Sequence, residues 1–256
     1  MNIFFYIVIF IIGTLFGSFF TLAVYRIPRK EDILIKHSYC PNCNHKLGFF
    51  DLFPVLSYIF LRGKCRYCKN KIRLRYLILE ILSGICFLII AISIKVNIYD
   101  IKSVIKIIFL LLYVSILFII SGIDKENRKI EKSTLFCGYI IEILYIIYLY
   151  TLGIYNVYQY VMYLILIALI LTIANISIYI TLKEKYFVQI LYLSLYMIIG
   201  GGSIIYIITV IFTLITIVNY RILSKRKKQS IPIGFYLCIN NILVIAMSNI
   251  IINYMI

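Results

Sequence analysis

Residues 3–25 read IFFYIVIFIIGTLFGSFFTLAVY, an unbroken apolar stretch without a charged side chain. About 20 such residues in a helix cross the roughly 30 Å hydrocarbon core of a bilayer. Only Met1 and Asn2 precede the stretch, and it shows neither a basic segment nor a small-residue cleavage site. We therefore interpret it as a retained membrane span and not as a signal peptide.

Apolar runs of this length recur along the chain. The protein has 256 residues, of which 63% are hydrophobic, and its mean hydropathy is +1.02, which is too high for a soluble globular domain. Further spans are predicted over residues 76–94, 104–123, 134–152, 157–180, 187–199, 203–220 and 232–254. The sequence thus predicts an all-α polytopic membrane protein with about eight transmembrane helices.

Three consecutive glycines, Gly200 to Gly202, interrupt the apolar run from Phe187 to Tyr220. Each glycine inside a helix costs roughly 1 kcal/mol relative to alanine, so the pattern favours a tight turn between two spans. The alternative is one tilted, kinked helix, because residues 187–199 are few for a full crossing.

The distribution of basic residues predicts the topology. Of the 26 Lys and Arg residues, 23 lie in alternate loops between the predicted spans, within residues 26–75, 125–132, 183–185 and 221–228. The positive-inside rule then places these loops in the cytoplasm and both termini outside. Charge that follows the topology so closely indicates contact with membrane lipid and argues against a nucleic-acid partner, despite a formal net charge of +16.

Four of the seven cysteines form two pairs, Cys40-Pro-Asn-Cys43 and Cys65-Arg-Tyr-Cys68, with 21 residues between them. Two such turns complete a tetrahedral zinc shell, so we predict a small zinc-binding cytoplasmic loop. A disulfide is disfavoured because the cytoplasm is reducing. His37 and His45 are surplus to a four-sulfur shell. The three lone cysteines in apolar runs are interpreted as small buried hydrophobes, namely Cys86, Cys137 and Cys238.

Short motifs surround these cysteines in the first third of the chain. They are Gly17-Ser18-Phe19-Phe20, Val24-Tyr25-Arg26-Ile27-Pro28, Pro54-Val55-Leu56-Ser57-Tyr58, Leu61-Arg62-Gly63-Lys64, Arg75-Tyr76 and Glu80. With the paired cysteines, residues 13–84 resemble the bacterial prepilin leader peptidase/N-methyltransferase family of aspartic endopeptidases. Two positions depart from the family pattern, where Thr21 replaces Asn and Leu77 replaces Pro.

The resemblance implies an enzyme of type IV pilus assembly and protein secretion in the bacterial cell membrane. Such an enzyme removes the leader of type IV pilin-like precursors at the cytoplasmic face. It then methylates the new N-terminus with S-adenosylmethionine. On this interpretation residues 1–95 form the methyltransferase-associated region and residues 96–256 a six-span peptidase-like domain.

The family cleaves with two aspartates, because two neighbouring carboxyls share a proton and divide the roles of base and acid. The resemblance assigns the first to Asp124 in Ser121-Gly122-Ile123-Asp124, with Ile130 in its expected place and Glu131 where a proline is usual. The second aspartate is missing, since no Asp follows Asp124.

Several residues stand near the position of the missing aspartate. When this stretch is aligned without gaps to the family pattern, Phe187 takes the position of the second aspartate and Gln189 that of a neighbouring lysine. When the alignment is shifted, Glu184 lies near the aspartate position. We take Glu184 as the candidate second carboxylate, with a solvated loop residue as the alternative. Glu126 is acidic but lies only two residues from Asp124, a spacing that does not bring two side chains together on a helix.

Three functions therefore remain open from the sequence. The chain is a working peptidase and methyltransferase that uses Asp124 and a substitute such as Glu184, a methyltransferase only, or a non-catalytic protein that binds pilin-like precursors during assembly.

Overall fold

The computed structural model describes residues 3–33, 37–153, 165, 169, 185–223 and 231–255. Its helices are α1 (Ile3–Arg26), α2 (Leu56–Phe60), α3 (Leu74–Ile94), α4 (Ile101–Asn127), α5 (Lys132–Thr151), α6 (Lys185–Gly201), α7 (Ser203–Leu223) and α8 (Ile233–Met255). Short 3₁₀ turns cover Ile27–Arg29 and Phe49–Asp51. Within these residues, strand-like pairing is limited to two isolated bridges, so the predicted all-α class is confirmed.

Five of the described helices are long and apolar enough to cross a membrane. They cover Ile3–Arg29, Leu74–Ile94, Ile101–Asn127, Lys132–Thr151 and Ile204–Ile222, and shorter apolar helices cover Val188–Gly201 and Ile233–Ser248. Each of these seven corresponds to a span predicted from the sequence. The remaining prediction, residues 157–180, lies outside the described residues except at two isolated positions.

The break predicted at the glycines is present. Helix α6 ends at Gly201, α7 begins at Ser203, and Gly202 between them has φ +85°, a backbone angle that favours glycine. Two separate helices are therefore formed in place of one kinked helix.

The chain forms two compact units, residues 1–104 and 105–256. In the first unit, α1 and α3 pack closely along a stripe of small residues. The Ser83 hydroxyl donates to the Gly13 carbonyl at 2.8 Å in a buried position. A Cβ atom on Gly17 would lie 2.7 Å from the Glu80 Cα atom. Small residues allow such close approach between helices in lipid, where apolar side chains alone provide little driving force.

Replacing Gly17 with alanine is expected to destabilise this unit by about 1–3 kcal/mol, because the added methyl group meets backbone that cannot move independently. The measurement is thermal unfolding of the purified protein in detergent. The matched control is Gly201→Ala, whose nearest neighbour would be the Ile205 Cγ2 atom at 3.4 Å, an ordinary contact. Equal unfolding temperatures for both variants would contradict the packing described here.

The second unit is held at its centre by a chain of buried polar groups. The Tyr113 hydroxyl in α4 donates to Asn241 Oδ1 in α8 at 2.8 Å. The Asn241 amide donates to Thr209 Oγ1 in α7 at 3.2 Å, and the Tyr196 hydroxyl in α6 donates to the Tyr113 carbonyl at 3.3 Å. These hydrogen bonds satisfy polar groups that lipid cannot and join four helices of the unit.

Candidate functional site

The two Cys-x-x-Cys pairs fold into turns with the same backbone geometry. In the first, the Cys40 N–H donates to the His45 carbonyl at 3.0 Å and the Asn44 N–H donates back to the Cys40 carbonyl at 2.8 Å. In the second, Cys65 pairs with Asn70 and Lys69 in the same way, at 2.9 and 3.0 Å. A positive φ at Asn44 and at Lys69 closes each turn. Each turn directs two sulfurs toward the other turn.

The four sulfurs lie where one metal ion can bind all of them. Their Sγ atoms are all within 4.8 Å of one another, and the Cys40 and Cys68 sulfurs are 3.8 Å apart. Zinc–sulfur bonds of about 2.3 Å in a tetrahedron place neighbouring sulfurs about 3.8 Å apart. The donor set therefore fits zinc, held by Cys40, Cys43, Cys65 and Cys68, which would act as a structural cross-link.

The surroundings of the Cys65 sulfur favour its thiolate. Backbone N–H groups of Cys68 and Tyr67 donate to the Cys65 sulfur and lower the pKa of that thiol to about 7. The His45 ring contacts the Tyr67 ring at a tilt of 34°, with ring centroids 3.6 Å apart. Neither His45 nor His37 belongs to the described metal-binding group, which consists of cysteines alone.

A buried arginine attaches this loop to the end of α1, and an ion pair joins two parts of the loop. Arg26, at the end of α1, is 3% exposed and donates to the carbonyls of Asp32 and His37 at 2.9 and 3.0 Å. Arg66 donates to Asp51 at 2.6 Å. Burial raises the pKa of Asp51, but the hydrogen bonds from Arg66, the Gly48 N–H and Tyr67 outweigh it and lower the pKa below its usual value.

A cavity of about 480 Å³ lies between this loop and the ends of α1 and α3. Its size is within the usual range for small-molecule sites, about 300–1,000 Å³. Charged and aromatic side chains line it together, among them Tyr25, Arg73, Arg75, Tyr76 and Glu80. Such a lining suits a polar molecule that carries both positive and negative charge.

Asp124 lies at the end of α4 and is fully buried, with 0% of its side chain exposed. Its Oδ2 atom accepts the Phe235 N–H at 2.9 Å. Phe235 is the third residue of α8, so Asp124 caps this helix from another element and lies at the positive end of its dipole. The predicted position of Asp124 at a helix end is observed, and its catalytic role stays a prediction.

A tyrosine occupies the position beside Asp124 where a second acid was expected. The Tyr186 hydroxyl, on the second residue of α6, is 2.9 Å from each carboxylate oxygen of Asp124. The Gly234 N–H donates to the same hydroxyl at 3.4 Å. Sequence reasoning missed Tyr186 because the search was for a carboxylate, although its place next to Phe187 was the available signal.

The other residues considered near the missing aspartate do not provide a second acid beside Asp124 among the described residues. Gln189 accepts the Ile130 N–H at 3.1 Å and so fixes the turn that follows Asp124. Glu126 is exposed, on the opposite face of α4 from the buried Asp124. Glu184 and the side chain of Phe187 lie outside the described residues, so the prediction for Glu184 stays a prediction.

Another buried acid, Glu142 in α5, was also missed. It is 5% exposed, and neither carboxylate oxygen has a hydrogen-bond partner among the described residues. Glu142 and Tyr113 both lie next to Gly200. Tyr113 precedes Asp124 by eleven residues in α4. That separation along a helix is about 16 Å, which is too far for Glu142 and Asp124 to share a proton.

The fold and these sites define a multi-span membrane protein with a four-cysteine loop between its first two spans. Residues 11–94 match the family described as Bacterial Peptidase A24 N-terminal domain. The chain is 41% identical over 85 residues to a prepilin leader peptidase/N-methyltransferase of Vibrio cholerae, covering 30% of this chain and 34% of the relative. No solved structure matches the chain.

Two further relatives carry the same name. One, from Myxococcus xanthus, is 36% identical over 83 residues, covering 32% of this chain and 25% of the relative. The other, from Bacillus subtilis, is 36% identical over 80 residues, covering 31% of this chain and 32% of the relative. Residues 11–94 of the chain are therefore similar to this N-terminal peptidase domain and to part of these prepilin leader peptidases/N-methyltransferases. The matched region spans between 25% and 34% of the length of these relatives.

Proposed function

We propose that the chain processes type IV pilin-like precursors at the cytoplasmic face of the bacterial cell membrane. The N-terminal unit transfers a methyl group from S-adenosylmethionine to the new N-terminus, and Asp124 takes part in removal of the leader. The observation that carries this proposal is the complete four-cysteine loop beside a charged cavity, within the region that matches the family.

The cavity in the first unit suits the proposed methyl donor. S-adenosylmethionine carries a carboxylate together with ammonium and sulfonium charges. Arg73 and Arg75 line the cavity and supply positive charge for the carboxylate, while Glu80 supplies a carboxylate and Tyr76 an aromatic face for the positive groups. The zinc would hold the loop that forms one wall of this cavity.

A methyltransferase without peptidase activity is the second candidate. It is favoured by the surroundings of Asp124, whose carboxylate is fully buried and bonded to Tyr186 and the α8 backbone. Among the described residues no second carboxylate lies at this site. A phenol donates a proton but does not form the shared-proton pair that activates water.

The two activities are separable in one assay. Membranes that contain the protein are supplied with labelled S-adenosylmethionine and either a full pilin-like precursor or the same pilin helix already lacking its leader. Cleavage of the first and methylation of both support the full proposal. Methylation of the second alone supports the methyltransferase candidate. Failure of both reactions, with several precursors, contradicts both and leaves a non-catalytic role in assembly.

The proposed topology places residues 26–75 in the cytoplasm and both termini outside. A cysteine introduced at Lys30 is expected to stay unlabelled by a membrane-impermeant thiol reagent in intact cells, whereas one added after Ile256 is expected to react. Lysed cells provide the control, because both positions then become accessible. The reverse pattern would invert the topology and move Asp124 away from the cytoplasmic face.

A further inference from the structure

Residues 49–60 of the four-cysteine loop read FFDLFPVLSYIF and present their apolar side chains outward. Phe49, Phe50 and Phe60 are 75%, 77% and 80% exposed. The Phe49 ring centroid lies 5.8 Å from that of Phe50 and 6.3 Å from that of Phe53, so these rings form one cluster. Exposed apolar patches of this kind mark surfaces that are covered in the working protein.

The outward face continues into α2. Leu56, Ile59 and Phe60 are all exposed and share one face of this helix by their spacing of three and four residues. The opposite side of the segment faces the protein, since Pro54 is buried and the Tyr58 hydroxyl donates to the Ile72 carbonyl at 3.3 Å. The segment is therefore amphipathic, with its apolar side turned away from the protein.

The charged group of the segment is bound by the second cysteine turn and does not lie on the apolar face. Its one charged side chain, Asp51, is bonded to Arg66 at 2.6 Å and to the Tyr67 hydroxyl at 3.2 Å, so it is neutralised by the second cysteine turn. Around the segment, the loop between residues 26 and 75 carries twelve Lys and Arg residues. This combination of an apolar face and a basic surround fits the surface of an anionic bilayer.

A hydrogen bond fixes the depth of the segment relative to the spans. The Val55 N–H donates to Glu80 Oε2 at 2.8 Å. Glu80 is the seventh residue of α3 and so lies about 9 Å inside its first residue. Helical side chains lean toward the helix N-terminus. Val55 therefore lies about 5–9 Å beyond the first residue of α3, measured along the helix axis toward the membrane interior. Interfacial segments bury their apolar face about 5–10 Å into the headgroup boundary.

Glu80 also lies far from the end of α1 that leads into the loop. It contacts Gly17, which lies nine residues, or about 13 Å, before Arg26 at the end of that helix. The segment is thus attached below Arg26 and Arg75, at a level where Glu80 is the one charged side chain of either helix. The backbone at Val55 takes φ +62°, a strained angle for a β-branched residue, to make this attachment.

We infer that residues 49–60 are embedded in the bilayer interface on the side that carries the four-cysteine loop, with Phe49, Phe50 and Phe60 in contact with lipid acyl chains. The loop is then not simply cytoplasmic, because one of its segments re-enters the membrane beside α3. This placement holds the metal site and the cavity against the membrane surface, where a membrane-inserted helix presents its end.

Tryptophan fluorescence tests this inference directly, because the chain contains no tryptophan. The full chain with Phe60→Trp, and separately with Phe49→Trp, is placed as single copies in nanodiscs of phosphatidylethanolamine and phosphatidylglycerol. The acyl chains are either unmodified or brominated, and bromine quenches tryptophan on contact. The matched control is Asn42→Trp, an exposed residue of the first cysteine turn outside the apolar segment.

We expect brominated lipid to remove about half or more of the fluorescence at positions 49 and 60, with blue-shifted emission, and to leave position 42 almost unchanged. Metal content and unfolding temperature verify that each variant is folded. Water-like, unquenched emission at both positions 49 and 60 would overturn the inference. So would emission that is shielded from water but not quenched by bromine, because protein would then cover the patch.

Discussion

Replacing Cys65 with serine is expected to abolish metal binding and to unfold residues 37–73 while α1 and α3 stay paired. Of these residues, all of which the structure describes, only Cys40, Pro54, Gly63 and Cys65 are buried. Such a loop has almost no apolar core of its own, so its stability depends on the metal. Structural zinc contributes about 10–16 kcal/mol to small zinc-binding peptides, far more than the packing of a few side chains provides.

The measurement combines metal analysis with hydrogen exchange of the purified protein. Stoichiometric zinc and slow exchange across the loop are expected for the unmodified chain, and loss of both for Cys65→Ser. The control is Cys137→Ser in α5, which should change neither. This lone cysteine was predicted to be buried, but the structure shows that it is exposed. An unmodified protein without bound metal, whose four loop thiols react freely with an alkylating agent, would refute the zinc site.

The apolar helices that the structure describes were predictable because the hydropathy of each segment is a local property of the sequence. For example, residues 76–94 were predicted and α3 is Leu74–Ile94, with differences only at the charged end. The four cysteines were predictable for a different reason, since tetrahedral coordination restricts ligand spacing along the chain. Both patterns are local in sequence, and neither depends on how distant segments pack.

The contacts that the sequence did not reveal join residues far apart in the chain. The bond from Val55 to Glu80 spans 25 residues, and that from Tyr186 to Asp124 spans 62. From the sequence, Glu80 was noted only as one of the family-like motif residues, and the whole loop was predicted to be cytoplasmic. No local pattern shows that a segment of the loop folds back to the level of Glu80. Tyr186 was overlooked because an expected aspartate directed the search to carboxylates.

Replacing Asp124 with asparagine is expected to lower any leader cleavage by at least about 100-fold, the usual contribution of a general acid or base. Asparagine keeps an oxygen that can accept the Phe235 N–H, so the cap on α8 survives. An amide cannot take a proton from water, however. Loss of cleavage with an unchanged unfolding temperature would therefore report chemistry and not structure.

The matched control is Glu126→Gln, which removes an exposed acid two residues away and should leave cleavage unchanged. Methylation of a pilin helix that already lacks its leader should persist in both variants, because the proposed donor cavity lies in the other unit. Cleavage that is undiminished in Asp124→Asn would refute an aspartyl mechanism at this site.

The partner of Asp124 is identified by three further variants. Tyr186→Phe removes the hydroxyl that lies 2.9 Å from both carboxylate oxygens, so it lowers cleavage further if the phenol supplies the proton. Glu184→Gln abolishes cleavage only if Glu184 is the second acid, and Phe187→Asp raises it only if the missing aspartate belonged there. Because a new charge near a span end costs up to a few kcal/mol, expression is measured alongside activity. A decrease with Tyr186→Phe but not with Glu184→Gln would establish that a carboxylate and a phenol replace the usual pair of acids, and slow cleavage would follow from their unequal acidity.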